Sequence, residues 1–276
     1  MSRRNRVAKS RIWKRRFPRS YKTLPTVPDP APPEPILGGL IHPGPNVPCL
    51  CPSLPGQTLL WSSGTILADG KVLVTGGSEV PNGLTGVAYQ ATIWDPATGH
   101  WTAGASAAIA RLYHSNALLL DDASVLTGGG GAPGPLNNLN AEIYYPPYLY
   151  KNDGSGQPAI RPVITAATPQ SLHLGNRINI TVGSTNQISR LTFVRKGSST
   201  HSNNSDQRFI KLAFKQTGDR LTAVLPSDPT VLLPGWYMLF AFNSAGVPST
   251  ATVLHVGFEE REWWEEIQQQ IRSLDH

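Results

Sequence analysis

The chain has 276 residues, only 15% of them charged, with 26 glycines and 25 prolines, a composition suited to many short strands joined by tight turns. Its formal charge of +6 belongs to one end: ten of the 24 Lys and Arg lie between Arg3 and Lys22, leaving 14 basic against 18 acidic residues, a net of −4, in the rest. The body therefore gives no reason to expect a nucleic-acid-binding fold, two cysteines make no disulfide framework, and no run reaches the ~20 apolar residues of a membrane span.

Residues 1–57 read as a basic and then Pro-rich disordered segment. Ser2-Arg3-Arg4 faintly suggests an export signal, but no apolar stretch follows it. Nine prolines from Pro25 to Pro48 remove ladder donors and hold the chain extended. Cys49 and Cys51 fall inside this stretch near His42; a soft-metal site is conceivable there, but incidental thiols are the favoured reading.

From Gly64 the pattern changes. GTILADGKVLVTGG predicts two strands around an Ala68-Asp69-Gly70 turn, closed by two glycines. A third strand, Ala88 to Trp94, follows, and His100-Trp101 begins a fourth. SNALLLDDASVLTGGG, Ser115 to Gly130, then repeats the motif, and AEIYYPPYLY stands where ATIWDPATGHW stood. Gly76-Gly77 and Gly128-Gly129 lie 52 residues apart, a period that indicates kelch-type propeller blades over 58–157. Shifting Tyr113-His114 back by 52 lands on Trp61-Ser62, so the Tyr-His pair is particular to the second blade. Asp69, Asp121 and Asp122 need only turn chemistry.

Residues 158–257 change character again. About seven short, evenly spaced strands, among them SRLTFVR, FIKLAF, LTAVL and GWYMLFAF, predict an immunoglobulin-like sandwich. Trp236, Tyr237 and Phe240 read as its core, and His173 and His255 as structural residues on its strands. In 258–276, Trp263, Ile267, Ile271 and Leu274 form one stripe, an amphipathic helix or tail. The fold class expected is thus all-β: a partial propeller of about two blades, then a sandwich.

RLYHSNALLLDDASVLTGGGG, NAEIYYPPYLY, RPVITAATPQSLHLGNRINI, THSNNSDQRFIKLAF and LPGWYMLFAFNSAGVPSTATVLHV resemble, in the same order, the C-terminal part of galactose oxidase and glyoxal oxidase-like copper radical oxidases. The resemblance runs over about residues 60–256. It implies that the last blades of a seven-bladed propeller precede an early set domain whose loop carries a histidine to copper. It implies that Tyr113 is the axial tyrosine, a weak ligand that takes the substrate hydroxyl proton. His114 and His201 would be the two histidine ligands. Imidazole nitrogens suit Cu(II), and a metal-bound phenolate is a reasonable base.

The family also needs an equatorial radical tyrosine joined to a cysteine, both from earlier blades. Here Trp61 stands where such a tyrosine would begin the blade, and Tyr89 lies in the third strand. The expectation is a C-terminal fragment or divergent member that keeps part of a copper site and is not catalytically competent alone. The alternative is an active oxidase of primary alcohols or aldehydes that produces hydrogen peroxide. A carbohydrate or small alcohol or aldehyde is the substrate class implied. Two blades leave an unpaired sheet edge that a partner completing the propeller would cover. Family members are usually secreted, but no signal peptide supports that here.

Overall fold

A computed structural model describes residues 59–183 and 187–257, together with Arg272. The expectations for residues 1–57, for Cys49 and Cys51, and for the 258–276 stripe lie outside the described residues, apart from the helical and exposed Arg272. The described chain is all-β: two propeller-type sheets followed by an immunoglobulin-like sandwich.

The first blade is an antiparallel four-stranded meander, β1 (Ser63–Ile66), β2 (Val72–Thr75), β3 (Gln90–Trp94) and β4 (Trp101–Ser106). The second has three strands, β5 (Ser115–Leu119), β6 (Val125–Gly129) and β7 (Ala141–Tyr144). After β7 the Pro146-Pro147 pair can donate no ladder hydrogen bonds. The chain turns through a short 3-10 helix, Pro147–Leu149, instead of forming a fourth strand. Tyr148, Leu149 and Tyr150 pack against the sandwich.

The blades superpose with an offset of 53, not the expected 52. Ser63 pairs with Thr75 as Asn116 pairs with Gly128, and Ile66 with Val72 as Leu119 with Val125. Gly76 and Gly77, at φ 69° and 92°, match Gly129 and Gly130 at 70° and 101°. The four glycines from Gly128 to Gly131 hide this register in the sequence. The true counterparts of Tyr113 and His114 are therefore Leu60 and Trp61. The 53 offset also explains the packing. Leu73 and Ile93 on one face of the first blade meet Ala117, Val125 and Tyr144 on the opposite face of the second, as successive propeller blades must.

The sandwich has a four-stranded sheet, built from β8 (Ile164–Thr168), β10 (Arg177–Val182), β15 (Phe214–Thr217) and β16 (Arg220–Val224). Facing it are β9 (Ser171–Leu172), β11 (Ile188–Arg195), β14 (Phe209–Leu212), β17 (Gly235–Asn243) and β18 (Thr252–Val256). FIKLAF is thus two strands that change sheets at Ala213. A separate two-stranded ribbon, β12 (Ser199–Thr200) and β13 (Asn203–Asn204), projects from the connection between β11 and β14.

The continuous apolar run of β17 has a structural reason: both faces are buried. Tyr237, Leu239 and Ala241 fill the sandwich core. Met238, Phe240 and Phe242 point the other way, onto Ala68, Ala123 and Leu149 from the blades. Phe240 is therefore an interdomain residue rather than sandwich core, and Trp236 is 56% exposed. Each fully buried Phe or Met side chain contributes about 1.5–3 kcal/mol, so this interface fixes how the blades sit on the sandwich. His173 follows β9 rather than lying on a strand, whereas His255 is on β18.

Candidate metal centre

Tyr113 and His114 end the segment that leads into β5, and its carbonyls are individually held. Gly77 N–H donates to Arg111 O at 2.7 Å and Gly131 N–H to Tyr113 O at 2.7 Å. Ser202 Oγ donates to Leu112 O at 3.3 Å. Upstream, the Arg111 guanidinium is 3% exposed and bridges Gly129 O, Asn140 O and Glu142 Oε2 at 3.0, 3.2 and 3.0 Å. Burial lowers the pKa of Arg111 and the Glu142 carboxylate opposes that shift.

His201 arrives from the sandwich. It and Ser202 form the two-residue tip of the β12–β13 ribbon, with φ of 53° and 62°, the left-handed pair that a type I′ hairpin requires. Neither is glycine, so each bears strain of about 1–2 kcal/mol. Anchors hold the tip between the first strands of the two blades. Ser202 N–H donates to Ser115 O at 2.9 Å, and Ser63 Oγ donates to Ser202 O at 3.3 Å. Gln207 receives Ile66 N–H at 2.6 Å and donates to Gly64 O at 2.8 Å.

The result joins residues that are 87 positions apart. The His114 and His201 ring centroids lie 4.4 Å apart at 70°. Tyr113 stacks on His114 at 3.8 Å and lies 5.7 Å from His201. The sequence reading missed Trp61, whose ring is 4.3 Å from Tyr113. Trp61 and His114 share a left-handed backbone, φ 64° and 67°. Strained backbone of this kind concentrates at functional sites, and four of the six non-glycine cases among the described residues, Trp61, His114, His201 and Ser202, are here. Tyr89 belongs elsewhere: it is 44% exposed and lines a cleft between the blades with Arg111, Glu142 and Tyr144.

The donors present fit a metal of the Cu(II) type. His114 Nδ1 is 2.7 Å from Ala132 O. A carbonyl only accepts, so Nδ1 carries the proton and Nε2 keeps the lone pair, as in many metal-bound histidines. His201 Nδ1 is engaged by Thr200 Oγ1 at 2.5 Å, which also leaves Nε2 for another partner when Nδ1 donates. Two nitrogens sharing an ion at ~2 Å lie about 3–4 Å apart; the two ring centroids here are 4.4 Å apart. Among the described residues no group of three or more His, Cys, Asp and Glu is placed to hold a metal. Tyr113 adds a phenol whose ring touches those of both histidines.

Docking also uses two turn acids, so they do more than shape hairpins. Lys196 Nζ pairs with Asp121 at 2.7 Å, and Asp121 O accepts Ala251 N–H at 2.7 Å. Asp69 is desolvated against the sandwich, and burial raises its pKa. No helix among the described residues is long and apolar enough to cross a membrane.

The fold and this cluster define a propeller-and-early-set protein with two converging histidines. Residues 161–256 match the family "Galactose oxidase-like, Early set domain". Galactose oxidase of Gibberella zeae is 39% identical over 196 residues, 69% of this chain and 28% of that protein. An aldehyde oxidase of Vitis pseudoreticulata is 31% identical over 160 residues, 52% of this chain and 29% of that protein. A solved fungal alcohol oxidase of the AA5 family, in complex with copper, matches with a TM-score of 0.68 and 35% identity, covering 73% of this chain and 43% of that one. The chain belongs to the galactose oxidase-like family. It spans a little over a quarter of the length of the galactose oxidase it matches.

Proposed function

We propose that Tyr113, His114 and His201 form one side of a copper site, and that this chain by itself binds Cu(II) without oxidising alcohols. The observation that carries the reading is the 4.4 Å approach of two imidazoles from different domains, held by a strained hairpin tip docked between the blades. Copper bound there would supply a one-electron acceptor and a Lewis acid. The phenolic oxygen of Tyr113 would take the hydroxyl proton of a primary alcohol or a hydrated aldehyde. The names of the relatives support that substrate class, a carbohydrate alcohol included. The radical half is a different matter. The only cysteines are Cys49 and Cys51, and no tyrosine other than Tyr113 lies within ring contact of the two histidines among the described residues. A partner or further chain packed on the outer faces of the blades would complete the propeller; Val72, Val74, Leu118, Leu126 and Ile143 are half-buried there.

Calorimetric titration with Cu(II), run beside an alcohol-dependent peroxide assay, tests this. The full chain should bind copper, His201→Ala should abolish binding, His173→Ala should leave it unchanged, and no peroxide above the copper-buffer background should form. Robust turnover would replace this reading with its rival, a complete primary alcohol or aldehyde oxidase.

A further inference from the structure

Asn82 sits in the loop between β2 and β3 of the first blade, in left-handed conformation at φ 46°. Its side chain crosses to the second blade. Nδ2 donates to Pro133 O at 2.8 Å and to Gly131 O at 3.3 Å. The carbonyl between those two, Ala132 O, is the acceptor for His114 Nδ1 at 2.7 Å. Three consecutive carbonyls are thus divided between one amide and one imidazole. The same turn is tied to the ligand segment from its other end, because Gly131 N–H donates to Tyr113 O at 2.7 Å.

We propose that Asn82 is a positioning residue for His114: by bracing Gly131 and Pro133 it aims Ala132 O at the imidazole, and so holds His114 as the Nδ1–H tautomer with Nε2 free to ligate. The chemistry selects this side chain. Two neighbouring carbonyl acceptors are served by a group with two N–H donors, which an amide has and a carboxylate lacks. Asn also tolerates the left-handed backbone better than most residues. There is no room to replace the brace by bulk on the turn itself, since a Cβ at Gly134 would fall 2.5 Å from Asn82 Nδ2. Outer partners of this kind set the orientation and basicity of a ligand histidine. The device also couples the blades, because a residue of the first orients a ligand carried by the second.

The proposal about the tautomer stands without metal; its consequence for copper rests on the functional reading above. The test is a long-range proton–nitrogen NMR spectrum of the metal-free full chain at pH 8, with Asn82→Asp and Asn82→Gly. Asp keeps size and backbone preference but removes both donors. Gly removes the side chain while leaving φ 46° unstrained. The native protein should show His114 as a single Nδ1–H tautomer, and both variants a mixture. Where copper binds, its affinity should fall about tenfold, the lower end of the effect of removing an outer partner. A variant that only loosened the fold would lower the melting temperature and leave the tautomer alone. If His114 stays purely Nδ1–H in the Gly variant, the proposal fails, whatever copper does. If the native chain binds no copper but the variants still mix tautomers, the functional reading fails and this one holds.

Discussion

The two blades share a backbone and differ in what they hang on it. At equivalent positions before the first strand, the first blade has Leu60-Trp61 and the second Tyr113-His114. Trp61 and His114 even share the left-handed conformation. The strain is thus a property of the blade, inherited by both copies, while the metal-type donors appear in one. The Trp61 ring then leans on Tyr113 at 4.3 Å, so the copy without the Tyr-His pair walls in the copy that has it.

The largest test of this contrast concerns how each blade is locked. On the third strand, Thr92 in β3 stands opposite Val74 as Glu142 in β7 stands opposite Thr127. Both are buried, but only Glu142 holds a guanidinium. Glu142→Ala leaves Arg111 charged and buried without its partner, which costs about 3–5 kcal/mol. Thr92→Val should cost far less, on the order of 1 kcal/mol. Urea unfolding of the two variants reads the difference; equal losses would show that the ion pair does not lock the second blade.

Next in size is the interdomain contact. Phe240→Ala opens the layer between β17 and the turns of both blades, at about 3 kcal/mol. It should also weaken Cu(II) binding, because His201 reaches the blades only while the sandwich is docked. Trp236→Ala, at an exposed site on the same strand, should change stability by less than about 0.5 kcal/mol and leave copper binding intact. A Phe240 variant that lost stability but kept full copper affinity would show that the ribbon tip docks by itself.

A smaller effect separates strain from ligation. Trp61→Gly relieves a left-handed backbone that favours glycine by about 1 kcal/mol but removes the ring beside Tyr113. His114→Gly relieves the same strain and removes a proposed ligand. Both should stay folded in thermal melts. Copper binding should disappear only in the His114 variant, with Trp61→Gly several-fold weaker at most.

The sequence carried the hairpins because their turns are chemically explicit: Asp-Gly after Ala68, and Asp-Asp before Ala123. It carried the sandwich through strand spacing, but the reading of Trp236, Tyr237 and Phe240 as one core did not separate the two faces of β17, because the apolar run GWYMLFAF shows no alternation. Register was lost where four consecutive glycines fit two alignments equally. The pairing of His114 with His201 came only through family resemblance. Thr-His-Ser-Asn lacks the glycine that usually marks a type I′ tip, so nothing local shows that ribbon. Asn82 was invisible because its partners are backbone carbonyls 49 and 51 residues away, and a carbonyl leaves no mark on a side-chain pattern.

The smallest effect lies at the opposite end of the blades, in their matched turns. Asp69 Oδ1 accepts Lys71 N–H at 3.2 Å, and Asp122 Oδ1 accepts Ser124 N–H at 3.0 Å. The two acids are equivalent in the repeat and make the same turn. Asp69 differs in being desolvated at the sandwich, which raises its pKa above the ordinary 3.8, while its Lys71 hydrogen bond and the nearby Arg190 oppose the shift. A carboxyl raised in the folded state adds stability that is complete below its unfolded pKa and is lost as pH rises through the folded value. Asp69→Asn keeps the turn acceptor and never ionises. The variant should match the native protein below about pH 3.8 and become the more stable of the two as pH rises towards neutrality. Melting temperatures of the two proteins across that range read the difference directly. A constant gap at all pH values, or a native protein that gains on the variant with rising pH, would mean that Asp69 is held as a carboxylate by Lys71 and Arg190, and that docking this turn on the sandwich exacts no electrostatic cost.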